Sequence, residues 1–504
     1  MDKRPVRLLL MLIVGASVLV SLMLTDQALG HVSATDSQED RLLQGSTGSF
    51  PGLNATNTYT HCRFGVGESY KRLGDFDISG LNLGWYLNWT TLVDPPTPYG
   101  MEFAHMLDVS SGTYVPSGAA LVDRITANPG AYWLIGNEPD CIYQSDLLPE
   151  EYAQVYHEAY TFIKGVDPTA KIVAGNIVQP TPVRLTYLNL VLDAYYESYG
   201  EQLPVDAWGI HSFILNEASC DVYPENCWGA GMPPGVDADR GFWIDARIEG
   251  ELDKTDDLDI FRDRLVDFRQ WMAGHGYRNV PLFITEYGSL IPDNGNYAGW
   301  DYERTKNFMY GTFDYMLTAS DSLYGYPADE NRLVQRWVWY SLADTLYGGA
   351  LFHPDSEDIL PNGTNYGNYT SAISPTVDLF AVEVIQKESV YSPTEPATVT
   401  VRARVSNVGN MPTTQQVIVR FFDGNDQQIG SDQLITTNLA GCAAFQDVQL
   451  NWSDLSPGVH TVKIVVDPDD TVTESDESNN VAWGTVLIAE HRLFLPVALR
   501  YMGL

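Results

Sequence analysis

From about residue 60 to residue 371, short apolar runs alternate with amphipathic stretches. Eight runs read as strands: RFGVG (63–67), LGWYLNW (83–89), MEFAHMLDV (101–109), YWLIGN (132–137), KIVAGNIV (171–178), VDAWGIHSF (205–213), PLFITE (281–286) and VQRWVWYSL (334–342). Several are apolar on both faces, as parallel strands covered by helices must be. Between the fourth and fifth runs, Pro149 and Glu150 open a helix whose apolar stripe is Tyr152, Val155, Tyr156, Ala159, Phe162 and Ile163, with Gly165 at its end. A second helix is predicted over about 257–274, before the seventh strand. Eight strand–helix units in about 310 residues predict an α/β fold of the (β/α)8 TIM-barrel type. An open doubly wound sheet is the alternative, but no glycine-rich phosphate loop supports it.

From Pro375 the pattern changes to strand-like runs separated by turn residues: VDLFAVEVI, ATVTVRARVSNVG, QQVIVRFFD, HTVKIVVD and VAWGTVLIA. They predict an Ig-like antiparallel β-sandwich over 375–488, following a barrel domain over 60–372. An apolar tail over 489–504, with RLFLPVALRYM, either docks on the sandwich or marks a surface association. At the other end, Lys3, Arg4 and Arg7 precede an apolar stretch over 8–24 and the small residues Ala28 and Gly30. Residues 1–30 therefore read as a signal peptide, with an uncleaved anchor as the alternative. Residues 31–59, rich in Ser, Thr, Gly, Asp and Asn, read as a flexible lead-in. The expected location is secreted or at the extracellular surface, with no membrane span after signal removal.

Charge narrows the partners. The formal charge is −36, from 29 basic and 65 acidic residues. This argues against nucleic acid, anionic membranes and polyanionic glycans, and favours a neutral substrate. Five cysteines are too few for a disulfide scaffold. Cys220 and Cys227 are close enough to pair, whereas Cys62, Cys141 and Cys442 read as unpaired. No Cys/His cluster has zinc-ligand spacing, so neither a catalytic metal nor a cofactor is expected. The acidic run from Asp467 to Glu477 reads as a solvated turn rather than a calcium site.

Two glutamates carry the candidate chemistry. Glu138 ends the fourth strand and Glu286 the seventh, and burying a carboxylic acid costs free energy unless it has a use. Active sites of such barrels lie at the C-terminal strand ends, so both acids are expected at one mouth. A carboxylate pair suits glycoside hydrolysis, with roughly 5–5.5 Å between the groups for retention and more for inversion. Strand alternation places Glu286, Ile284 and Leu282 on one face, and His211, Gly209 and Ala207 on another. Trp85, Tyr86, Asn88 and Trp89 end the second strand and offer sugar contacts. Asp140 reads as a helix N-cap or a subsite contact, and Glu102 and His105 as barrel filling or site residues.

The NEP tripeptide of Asn137, Glu138 and Pro139, with Thr285 and Glu286 after an apolar strand, resembles the large clan of retaining β-glycosidases built on this barrel. The resemblance implies Glu138 as acid/base and Glu286 as nucleophile. It implies Asn137 on a sugar 2-hydroxyl, His211 at the end of strand six, and Trp339 as the sugar-stacking aromatic, with Trp337 or Tyr340 in its place if the strand phase differs. Asn88, Trp89 and Tyr287 complete the candidate substrate-binding set. Within the clan, GWYLNW, FAHMLDV, GNEPD and TEYG look most like glycoside hydrolase family 128, mainly endo-β-1,3-glucanases. Two departures stand out: Phe213 replaces the family's usual Tyr after the strand-six histidine, and the following segment, with Trp228 and Trp243, is longer. VRARVSNVGNMPT and LSPGVHTVKIVVDPDDTVTESDESNN resemble a CARDB-type cell-adhesion-related domain, which implies a spacer or cell-surface attachment module of a bacterial secreted enzyme. The implied activity is a retaining glycoside hydrolase acting on a polysaccharide or oligosaccharide, best an endo-β-1,3-glucanase. The alternatives are a β-glycosidase for xylan, mannan or galactan, and a non-catalytic glycan-binding surface protein.

Overall fold

A computed structural model of the protein describes residues 61–292, 299–386, 390–392, 396–436 and 438–489. The signal peptide, the lead-in and residues 490–504 of the tail lie outside the described residues. Eight parallel strands, His61–Gly67 (β1), Leu83–Leu87 (β2), Glu102–Leu107 (β3), Tyr132–Ile135 (β4), Lys171–Ile177 (β5), Ala207–His211 (β6), Leu282–Tyr287 (β7) and Arg336–Trp339 (β8), pair in sequence order and close, β1 against β8. Helices Gly118–Ala127 (α1), Pro149–Val166 (α2), Pro182–Tyr199 (α3), Leu258–Gly274 (α4), Tyr302–Thr318 (α5) and Pro361–Ser371 (α6) follow β3 to β8 in turn. All eight runs read from the sequence are strands of this barrel. Helix α2 shows why the local reading works. Pro149 occupies its first turn, the Leu148 N–H donates to Glu151 Oε2 at 2.9 Å, and Tyr152, Val155, Tyr156, Ala159 and Ile163 are buried.

The barrel interior is a packed layer of Trp85, Leu87, Ala104, Met106, Leu134, Val173, Ala207, Phe283 and Val338. Glycine in β1 makes room for the large rings, since a Cβ on Gly65 would stand 2.7 Å from Trp85 Nε1. At the N-terminal floor, Glu102 pairs with Arg336. The Arg336 guanidinium lies 5.2 Å from the Tyr132 ring centroid and 5.8 Å from that of Phe283, and Lys171 caps Tyr132 at 4.6 Å. Glu102, half exposed at this end, is therefore neither a site residue nor part of the packed interior. His105 faces the helices instead: it stacks on Trp133 at 4.3 Å, and burial together with Arg124 pushes its pKa down to about 3.

The chain divides into two compact units, the second comprising Pro327–Glu330 and everything from Pro375. That unit holds a five-stranded sheet, in the order Val390–Tyr391 (β10), Val481–Ala489 (β16), Gly458–Val466 (β15), Val417–Asp423 (β12) and Gln433–Ile435 (β13). A three-stranded sheet follows the order Ala444–Leu455 (β14), Ala397–Asn407 (β11) and Leu379–Gln386 (β9). Alternate residues point inward, as in Val401, Ala403 and Val405 of β11 and Val417, Val419 and Phe421 of β12. The pairing is antiparallel except for β10, which runs parallel to β16. The Asp467 carboxylate accepts from the Thr471 and Val472 N–H groups at 2.8 and 2.7 Å, which is turn chemistry.

Cys220 and Cys227 form a disulfide. Cys62 and Cys442, read as unpaired from the sequence, are both disulfide-bonded, because cysteines remote from any other leave no local spacing to read. Cys141 is free and buried. Among the described residues, no helix is long and apolar enough to cross a membrane.

Candidate active site

Beyond β4 the chain leaves the strand conformation. Gly136 takes φ 83°, where a Cβ would meet Val109 at 2.6 Å, and Glu138 itself sits at φ 44°. A non-glycine residue in the left-handed region is strained and persists only where its surroundings fix it. Here they do. The Glu138 N–H donates to the Asn176 carbonyl at 3.0 Å, the Cys141 N–H donates to the Glu138 carbonyl at 3.0 Å, and Ser145 Oγ donates to the Asn137 carbonyl at 2.7 Å. Asp140 is not a helix N-cap. It is fully buried, accepts from Arg184 at 2.7 Å and from the Val178 N–H at 3.1 Å. Arg184 also donates to Glu217 at 2.8 Å and to the Ala230 and Gly231 carbonyls at 2.9 and 3.1 Å, tying the turn after β4 to the long loop after β6.

His211 ends β6 in register with Glu286 on β7, across a local shift in the pairing. That shift corrects the alternation expected for β7: Leu282 and Ile284 pack outward against the helices, Phe283 points inward, and Glu286 reaches the mouth only because the ladder is irregular there. His211 Nδ1 shares a hydrogen bond with Glu138 Oε1 at 2.8 Å and lies 3.7 Å from Glu286 Oε2. Trp89 Nε1 donates to Glu286 Oε2 at 3.0 Å. Glu138, His211 and Glu286 each present an atom within 4.8 Å of the others, a spacing that a single cation is also able to span. Beneath them Asn176, at φ 50° and fully buried, donates to the Gly136 carbonyl at 3.2 Å and accepts from Thr285 Oγ1 at 3.3 Å.

The electrostatics follow from burial and proximity. Burial alone would lower the His211 pKa, but Glu286, the hydrogen-bonded Glu138 and Asp140 together raise it. Burial drives the Glu286 pKa up to about 7; His211 and the Trp89 N–H oppose that rise, and Glu138 adds to it. Buried polar atoms without a partner among the described residues include Asn137 Oδ1 and His211 Nε2.

Of the residues singled out in the sequence, the structure brings together Glu138, Glu286, His211 and Trp89, with Asn137 adjoining Glu138. Three others lie elsewhere. Trp339 faces the helices, donates to the Gly349 carbonyl at 2.7 Å and packs on Tyr287 and Phe313, because β8 turns Val338 inward. Tyr287 likewise packs outward on Phe261, its hydroxyl 3.3 Å from Thr312 Oγ1. Asn88 donates to Glu68 at 2.8 Å, a buried carboxylate that also accepts from the Leu73 N–H at 2.6 Å. The aromatic beside the site is Tyr340, edge-on to Trp89 at 5.8 Å and to Phe213 at 6.1 Å. Sequence reasoning missed Asn176, Arg184, Glu217 and Glu68. The acid-after-strand rule that found Glu138 applies equally to Glu68 in GVGES.

The fold and site define a class: a closed parallel barrel with an acid–histidine–acid cluster at its C-terminal mouth. Residues 65–221, which contain Glu138 and His211, match the family model of the glycosyl hydrolase catalytic core, and residues 377–483 match that of CARDB. No curated protein matches the chain. Among solved structures, a GH128 subgroup II endo-β-1,3-glucanase from Sorangium cellulosum shares 18% identity over 61% of this chain and 98% of its own, at a TM-score of 0.37. A subgroup I endo-β-1,3-glucanase from Amycolatopsis mediterranei, in complex with laminaritriose, shares 16% over 61% and 99%, at 0.37. A CARDB domain from Pyrococcus furiosus, in complex with di-metal ions, shares 21% over 24% and 99%, at 0.20. These likenesses are distant.

Proposed function

We propose that the protein is a secreted, retaining glycoside hydrolase of neutral β-linked glucans, with endo-β-1,3-glucanase activity the leading form. One observation carries the reading: two carboxylates from opposite strands present oxygens within 4.8 Å of each other. So close an approach of the nearest oxygens favours the short carboxyl separation of retention, roughly 5–5.5 Å, over the wider one that admits a water in inversion. Glu286 attacks the anomeric carbon while Glu138 protonates the leaving oxygen; Glu138 then takes a proton from water, which releases the sugar from Glu286. His211, 2.8 Å from Glu138 Oε1, holds that carboxyl in place for both steps. Asn137, whose Oδ1 lacks a partner, accepts from a sugar hydroxyl.

Reducing-end release across β-1,3-, β-1,4- and mixed-linked glucans, xylan, mannan and galactan tests the substrate. Binding without release on every polymer would instead identify a non-catalytic glycan-binding protein. Recovery of the mature chain from the culture medium tests secretion. A second reading exchanges the two roles, and it is favoured by the raised pKa of Glu286. An activated 2-deoxy-2-fluoroglucoside separates the two: the label is expected on the peptide containing Glu286, and a label on Glu138 reverses the assignment.

The pH profile follows from the same groups. Attack needs ionised Glu286, and its pKa in the free protein is raised to about 7. kcat/KM is therefore expected to rise as pH increases through about 7, rather than near the usual carboxylate range. A flat profile from pH 5 to 7 contradicts this.

A further inference from the structure

We propose that Trp89 is a positioning residue for the nucleophile, its indole N–H clamping one oxygen of Glu286 so that the other is presented to the sugar. The inference rests on the hydrolase reading above and deepens it. Trp89 Nε1 lies 3.0 Å from Glu286 Oε2, the same oxygen that faces His211 at 3.7 Å. Among the described residues, no hydrogen bond is made to Oε1. The two oxygens are thus inequivalent: Oε2 is held, and Oε1 forms the bond to the anomeric carbon as the glycosidic C–O bond breaks and the leaving oxygen takes the proton of Glu138.

The surroundings over-determine the indole. Trp89 sits at φ 55°, a strained conformation for a large side chain. Its ring fills the slot left by Gly67, where a Cβ would stand 2.9 Å from the indole Cη2. Tyr340 meets it edge-on at 5.8 Å. A ring serving only as a sugar platform needs neither a fixed N–H direction nor a donor aimed at a carboxylate. Both are present here, and an indole N–H, which does not ionise, holds Glu286 at any pH.

Trp89→Phe keeps the ring and removes the donor. It is expected to lower kcat roughly 10- to 100-fold with little change in KM, the scale of one hydrogen bond to a charged group. The acidic limb of kcat/KM is expected to move to higher pH, because the lost bond favoured the Glu286 anion. Gly67→Ala, which leaves the indole intact but crowds it, is expected to shift the limb in the same direction. Unchanged kcat and an unmoved limb in Trp89→Phe overturn the proposal.

A carbon-13 carboxyl titration of glutamate-labelled protein, with Glu286 assigned through Glu286→Gln, reads the same contact without any substrate. A higher Glu286 pKa in Trp89→Phe supports the clamp even if no glycan is hydrolysed, in which case only the hydrolase reading fails. An identical titration in both proteins rejects the clamp whatever the activity.

Discussion

On the proposed mechanism, Glu286→Gln is expected to lower glycan hydrolysis by roughly 10⁴-fold or more, the scale on which loss of a nucleophile acts. The amide is nearly isosteric, so the contact with Trp89 and the fold persist while the attacking anion is gone. Glu138→Gln is expected to behave differently. On polysaccharide it loses about 10²- to 10⁴-fold, the contribution of a general acid–base group. On an aryl glucoside whose leaving group needs no proton, the first step survives and a glycosyl-enzyme accumulates. Steady-state and burst kinetics on the two substrates check this. Full activity in either variant removes that residue from the mechanism.

Arg184→Met is expected to destabilise the barrel by about 3–5 kcal/mol, the cost of leaving buried charges without their partner. Arg184, Asp140 and Glu217 are all fully buried. Desolvation lowers the Arg184 pKa, but the two carboxylates outweigh it and raise it, whereas burial raises that of Asp140 despite Arg184. A melting-temperature loss on the order of 10 °C is the expected readout. Adding Asp140→Asn and Glu217→Gln to Arg184→Met is expected to recover much of the loss, because uncompensated charge, not volume, is the cause. An unchanged melting temperature in Arg184→Met denies the network its structural role.

The strand pattern was legible because parallel strands under helices must be apolar on both faces, and runs such as KIVAGNIV and YWLIGN satisfy this without tertiary information. Glu138 and His211 were legible because strict alternation holds along β6 and the NEP turn follows β4 directly. Alternation failed on β7, where the ladder shift turns Glu286 inward against the phase of Ile284. It failed again on β8, a four-residue strand whose inward position is Val338, leaving Trp339 among the helices and Tyr340 at the mouth. Arg184 and Glu217 left no sequence signal, since their pairing depends on a long loop folding back over α3. Asn176 was hidden inside an apolar run whose register slips at that residue.

The floor of the barrel bears on how a polymer is handled. With Glu102, Arg336, Tyr132 and Lys171 closing one end, the cylinder is a cup rather than a pipe. Under the proposed function no sugar chain would thread through it; a glucan would arrive and depart over the same rim. Whether cuts would then fall inside a chain or at its tip would be decided by the loops of that rim.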